Sequence, residues 1–524
     1  MRVPAKLLAT KKSFGSPLLA DICKLIYFYA KFKQKEFTKK HNINRELLKK
    51  FQFTILWTCQ KDTDERCDFA SPSAFGRISM TNFTRRGLLK SGAAVGAGLA
   101  VPAFFTNMAN AYTNAPSGGS VTLGFNVPQT GPYADEGGDE LRAYELAVEH
   151  LNGGGDGGMM NTFSSSELKG NGILGNKVEF VTGDTQTKSD AARASAKSMI
   201  EKDGAVMITG GSSSGVAIAV QGLCQEAGVI FMAGLTHSND TTGKDKKANG
   251  FRHFFNGYMS GAALAPVLEK MYGADRKAYH LTADYTWGWT QQESMAAATE
   301  SKGWETVNNV LTPLATTDFS SYVAPVLNSG ADILVLNHYG GNMINSLTAA
   351  VQFGLRDKEV NGKNFEIVVP LYSRLMAKGA GENVKGIFGS TNWHWSLQDE
   401  GSKAFVKSFG TKYGFPPSQA AHTVYCQTLL YADAAERSGT FNPCGIAEAL
   451  EGFKFSGLGN GDVEYRAEDH QCFKDVLVVK GKENPTSEFD VLEVVEVTPR
   501  AQVEYPVDHP MFAGGSLGAC NPGA

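Results

Sequence analysis

From residue 121 onward, short runs rich in β-branched and aromatic residues alternate with segments whose apolar positions recur every three or four residues. Residues 121–127 (VTLGFNV) read as a strand. Leu141, Tyr144, Val148 and Leu151 then fall at spacings of three, four and three, one face of a helix. The same rhythm gives strands at 178–181, 206–209 and 229–232, with helices at 190–202 and 216–227. It restarts after Phe251, with strands at 278–281, 307–311, 333–336, 367–369 and 387–389 and helices at 262–271, 291–302, 322–328 and 343–353. Such alternation predicts an α/β fold of mainly parallel sheets covered on both faces by helices. Ligand sites in those sheets lie beyond the carboxyl ends of the strands. Two successive blocks imply two lobes with a cleft. Residues 501–524, poor in periodicity, read as a loose tail.

Ahead of this body the pattern differs. Residues 1–111 carry 19 Lys and Arg against 7 Asp and Glu, which leaves 31 against 46 for the remainder. An acidic body without a Lys/Arg cluster argues against nucleic-acid binding, which needs a positive face for the phosphates. The basic head reads as an address. Thr84-Arg85-Arg86-Gly87-Leu88-Leu89-Lys90 precedes an uncharged Gly/Ala-rich stretch, residues 91–105, and then Ala109-Asn110-Ala111, small residues that suit a signal peptidase. The paired arginines before a weakly apolar core resemble a twin-arginine export signal over 80–111, cleaved after Ala111. The apolar run falls short of the roughly 20 residues a membrane span needs. Residues 1–79 lie upstream of the position expected for an initiator, Met80, and read as a spurious or disordered extension.

Cysteine use fits export loosely. Cys224, Cys426, Cys444, Cys472 and Cys520 lie in the body, an odd number with no C-x-x-C. The pairing named here is Cys444 with Cys472, although spacing does not fix connectivity.

The strand ends carry the candidate chemistry. Gly210-Gly211-Ser212-Ser213-Ser214-Gly215 links a strand to a helix, where backbone N–H groups and hydroxyls suit a carboxylate or another polar anion. Leu235-Thr236-His237-Ser238 follows the next strand. Tyr133 follows the first, Trp287 and Trp289 that at 278–281, Tyr339 that at 333–336, and Tyr372 that at 367–369. Singly, each has a plainer reading: serines as helix caps, tryptophans as core packing, and His338, His422 and His470 as hydrogen-bonded structure without metal-ligand spacing. Their recurrence at equivalent strand ends points to a small polar ligand clamped between aromatic rings. No metal or cofactor is called for.

In order along the chain, residues 121–137 (VTLGFNVPQTGPYADEG), Leu151-Asn152-Gly153-Gly154, residues 175–184, Gly210–Ser214 and Gly234–Ser238 resemble the branched-chain amino acid and amide type of extracellular solute-binding protein, the soluble receptor of an ABC importer. The resemblance spans about residues 118–500. It implies lobe 1 at 112–255 with 392–462, lobe 2 at 256–391 with 463–500, and three crossovers closing like a hinged trap. It also implies a membrane permease and ATPase complex as partners, besides the export machinery. By motif position, Ser212, Ser213 and Ser214 match the loop that holds a ligand carboxylate. Leu235, Thr236 and His237 fall in the next loop, Tyr133 in the first-strand loop and Trp287 at the aromatic position of the second lobe. Amino-acid binders of this type place an acid after the strand read at 367–369, to pair with the ligand ammonium. Here Leu371-Tyr372-Ser373-Arg374 stands instead. A buried ammonium without a partner is costly, so an amide, urea-like compound or small aromatic acid fits as well as a branched-chain amino acid.

Two rival functions remain at this point. Gly211-Ser212-Ser213-Ser214-Gly215 also satisfies G-x-S-x-G, the nucleophile elbow of a secreted serine hydrolase, with His422 or His470 as base. A ligand-sensing receptor of the same fold is the other.

Overall fold

The computed structural model describes Pro116 and residues 119–523. The export signal, its cleavage site, Cys23, Cys59 and Cys67 lie outside the described residues. Among the described residues no helix is long and apolar enough to cross a membrane.

The first sheet is wholly parallel, with strands β1 (Ser120–Val127), β2 (Lys177–Asp184), β3 (Met207–Gly210), β4 (Ile230–Ala233) and β5 (Gly250–Arg252) in the order β2-β1-β3-β4-β5. One face packs on helix α1 (Ala134–Leu151) and the long helix Gln419–Ser438, burying Leu123, Phe125, Tyr144, Leu151, Val424 and Leu429. The other packs on α2 (Ser189–Glu201) and α3 (Ser214–Ala227) through Met199, Ile208, Val216, Val220 and Phe231. Burial on both faces explains why the central strands β1, β3 and β4 read as apolar runs.

The second sheet contains β6 (Lys277–Ala283), β7 (Glu305–Thr312), β8 (Ile333–Asn337), β9 (Glu366–Leu371), β10 (Phe388–Thr391), β11 (Val476–Gly481) and β12 (Leu492–Thr498). Their order is β12-β11-β10-β9-β8-β6-β7. The five strands from β6 to β10 are parallel, and β11 and β12 add an antiparallel edge. The chain passes between the two cores three times, near 252–254, 389–393 and 472–473. At the first and third passages the fully buried Arg252 and Gln471 meet (Nε to Oε1, 2.8 Å), and Gln471 Nε2 donates to Phe254 O at 3.0 Å.

Two expectations are corrected. The bridge joins Cys444 to Cys520, not Cys472. Cys472 is a free buried thiol on the strand Cys472–Phe473, paired to Val463–Tyr465, with its Sγ 3.5 Å from His253 Nδ1. The segment 501–524 is not loose over its described residues. Tyr505 and Phe512 are buried and stacked at 3.7 Å, Leu517 O accepts from Ala248 N, and Asn521 exchanges bonds with Asn249. A disulfide and two packed rings replace the periodicity that a helix would have shown.

Candidate functional site

The serine loop is aimed by two glycines. Gly210 and Gly211 adopt φ of 124° and 85°, and a Cβ on Gly210 would stand 1.9 Å from Asn126 O. Only glycine turns the chain so sharply there, placing Ser213 as the N-cap of α3. Ser212 Oγ donates to Glu140 Oε2 at 2.6 Å. Ser214 Oγ accepts from Thr236 Oγ1, His237 N and Ser238 N, tying this loop to the one after β4.

Opposite, two strand ends of the second sheet bring aromatic rings. Tyr285 and Trp287 follow β6, and Gly288 lets the helix Thr286–Glu300 start against Ala283 O, where a Cβ would meet that oxygen at 1.9 Å. Tyr339 follows β8. Trp287 and Tyr339 meet edge to face at 6.3 Å, and Tyr285 lies 6.0 Å from Trp287. Ser212, Ser214, Leu235, His237, Tyr285, Trp287, Tyr339 and Leu371 line the space between them, a residual cavity of about 10 Å3. That is room for roughly one water, so the lobes stand closed and a larger solute needs them to part. The Trp287 indole N–H is buried there without a hydrogen-bond partner among the described residues.

Of the residues singled out from sequence, Ser212, Ser214, Leu235, His237, Trp287 and Tyr339 line the cavity. Four do not. Tyr133 stands behind it, its hydroxyl 2.8 Å from that of Tyr285 and its ring on the edge of Tyr339. Ser213 stands at the N-cap position of α3, without a side-chain capping bond. Thr236 is spent on Ser214 and Thr241. Tyr372 is fully buried, with its amide bonded to Ser390 O. His237 is held between Phe255 O (2.8 Å) and the Gln291 amide (2.9 Å). Burial, aided by the Arg252 charge, pushes its pKa down to about 3, so the ring is neutral. His422 bonds Leu458 O, and His470 bonds Gly250 O and Glu451. His338 bonds Thr312 and Ser346.

Sequence reasoning missed the acids. Helix α1 begins seven residues before Leu141, and its first two turns carry Glu136, Asp139 and Glu140 at helical spacing, all buried toward the cleft. Ser373 Oγ donates to Glu136 Oε1 at 2.6 Å, and Arg374 Nη2 pairs with Asp139 Oδ2 at 3.3 Å. Both bonds cross from the second sheet to α1. Thr286 adds a third crossing, to Asp240 Oδ2 at 2.6 Å. Burial raises Glu136 to about 7 and Glu140 to about 8, against the opposing bonds from Ser373 and Ser212. Among the described residues no group of three His, Cys, Asp or Glu side chains could hold a metal ion.

Two parallel-stranded α/β lobes, joined by three passages and closed over a small polar and aromatic cavity, define a solute-binding protein of the hinged two-lobe class. The family profile described as periplasmic binding protein matches residues 120–486, and the chain belongs to that family. It is 25% identical over 317 residues to a Leu/Ile/Val-binding protein homolog of Brucella melitensis, covering 57% of this chain and 73% of that one. Its fold is similar to that of a periplasmic binding protein from Burkholderia mallei, with a TM-score of 0.66 at 22% identity over 74% of this chain and 96% of that one. It is also similar to an ABC transporter solute-binding protein of Rhodopseudomonas palustris, solved in complex with 3,4-dihydroxybenzoic acid. There the TM-score is 0.63 at 17% identity, over 73% of this chain and 98% of that one.

Proposed function

We propose that this chain is the substrate-binding component of an ABC importer. It is exported by the twin-arginine machinery, cleaved after Ala111, and works in the periplasm. There it takes a small polar solute between lobe 1 (112–255 and 392–462) and lobe 2 (256–391 and 463–500), and the closed form is delivered to a permease and ATPase complex. The observation that carries the reading is a cavity walled by strand ends of both lobes, with side-chain bonds crossing beside it. Ser212, Ser214, Leu235 and His237 form one wall. Tyr285, Trp287, Tyr339 and Leu371 form the other.

The protein acts by binding and not by turnover. The histidine bases of the hydrolase reading do not reach the serines: the ring nitrogens of His237, His422 and His470 are bonded to groups other than Ser212, Ser213 and Ser214, and Ser212 is bonded instead to the buried Glu140 carboxyl. Melting temperature should therefore rise saturably in a screen of amino acids, amides, ureas, amines and small aromatic acids. A solute at about 100 times its Kd adds roughly 2.7 kcal/mol. Ser213→Ala should keep that shift. Solute hydrolysis by the parent protein, lost in Ser213→Ala, would overturn the reading.

A further inference from the structure

The position after β9, where the resemblance places an acid for the ligand ammonium, holds Tyr372 and Ser373 here. The structure supplies acid from the other side of the cleft. Glu136 reaches Ser373, the residue after Tyr372, at 2.6 Å, and its neighbour one helical turn on, Glu140, reaches Ser212 on the cavity wall. Each carboxylate therefore stands immediately behind a lining residue: Glu140 behind Ser212 and Leu235, Glu136 beside Tyr339. Glu136 Oε2 and Glu140 Oε1 are fully buried and lack a well-formed hydrogen bond among the described residues.

When the three acids ionise, the local charge does not balance. Glu136, Asp139 and Glu140 are matched by one buried cation, Arg374, which is committed to Asp139. The lining itself contains hydroxyls, an indole and aromatic faces but no Lys or Arg. Ser212, the hydroxyl expected to hold a ligand carboxylate, already donates to Glu140. An anion at this loop would oppose ionisation of Glu140, whereas a cation would favour it. Aromatic faces carry negative quadrupoles and favour a cation further.

We propose that the cleft selects a small organic cation with N–H donors, such as an amidinium, guanidinium or protonated amine, held between Glu136 and Glu140 on one lobe and Trp287, Tyr285 and Tyr339 on the other. This rests on the cleft being the solute site. The groups facing Glu140 are Ser212, the Leu235 amide, Tyr144, Glu136 and Asp139; those facing Glu136 are Ser373, Tyr339, Asp139 and Arg374. In the empty site burial keeps protons on both acids into the neutral range. A cation binds their ionised forms, so it releases protons and its affinity rises with pH. An anion shows the opposite slope.

Isothermal titration of the purified protein at pH 6 and pH 9 tests this with two isosteric series, benzamidinium, benzamide and benzoate, and guanidinium, urea and acetate. The cations stay charged at both values. The expected result is a cation as the tightest binder of at least one series, by about tenfold or more at pH 9, with affinity growing about tenfold or more from pH 6. Glu140→Gln should lose most of that growth, and Glu136→Gln is the second variant should the first not fold. An affinity order led by benzoate, acetate or a neutral member overturns the inference and leaves the receptor reading standing. So does binding whose pH slope is the same in both variants as in the parent. Binding by none of the six overturns it too, and the receptor reading falls with it only if the wider solute screen also finds no saturable ligand.

Discussion

Replacing Asp139 with alanine is expected to destabilise the protein by about 3–5 kcal/mol, the cost of leaving a buried charge without its partner. Asp139 is buried at the centre of a cross-lobe cluster. It accepts from Arg374 at 3.3 Å, from Arg142 at 3.4 Å, and from the Ser418 amide at 2.9 Å where the long helix Gln419–Ser438 begins. Its removal strands the Arg374 guanidinium, which is 3% exposed, rests near the rings of Phe415 and Phe489, and keeps only the weaker field of Glu136 as anionic company. Arg374→Ala should cost less, because Asp139 keeps Arg142 and the Ser418 amide. The double variant Asp139→Ala/Arg374→Met should recover part of the loss, since neither charge then remains. Urea denaturation of the four proteins measures this. Additive losses in the double variant would contradict a direct pair.

The second large effect concerns the C-terminal segment. The Cys444–Cys520 bridge closes a loop of 76 residues. Cross-linking a loop of that size restricts the unfolded chain by about 4 kcal/mol on chain entropy alone, and loss of native bridges commonly costs about 2–5. Cys520→Ser should fall in that range. It should also loosen the docking of Leu517 and Asn521 on Ala248 and Asn249. Hydrogen exchange at the Ala248 and Asn521 amides, which bond across this contact, would report that loosening. Peptide mapping without reductant should recover a linked pair containing Cys444 and Cys520, with Cys472 alkylated only after unfolding. A linked pair containing Cys472 would contradict the structure.

Much of the fold was legible because β1, β3, β6 and β8 are apolar runs each followed by a helical period. Three features were not. The antiparallel edge, β11 and β12, follows no crossover helix, and β12 leaves Val495 and Val497 exposed, so neither element showed the pattern being read. The Cys520 pairing depends on a path that the tail takes back across β5. The site acids were hidden by their own polarity. Helix α1 showed its apolar face only from Leu141, while its first two turns point Glu136, Asp139 and Glu140 into the cleft, where polar residues look like a solvated N-terminal turn. The serine loop and Trp287 could be found because glycine turns and strand ends mark them. Tyr372 could not be excluded, because only the packing behind β9 shows its ring turned away from the lining.

One solute is expected to be enclosed between the lobes against Trp287. Tryptophan fluorescence tests it directly, using the solute that gives the largest melting shift in the screen. Trp287 is buried at the cavity wall with an indole N–H unpaired among the described residues. The expected result is a saturable fluorescence change at one solute per chain that disappears in Trp287→Phe, while Trp289→Phe, altered at an exposed ring, keeps it. A change that persists in Trp287→Phe, or a bound solute that leaves the indole unaffected, would contradict the assignment of this cavity as the site.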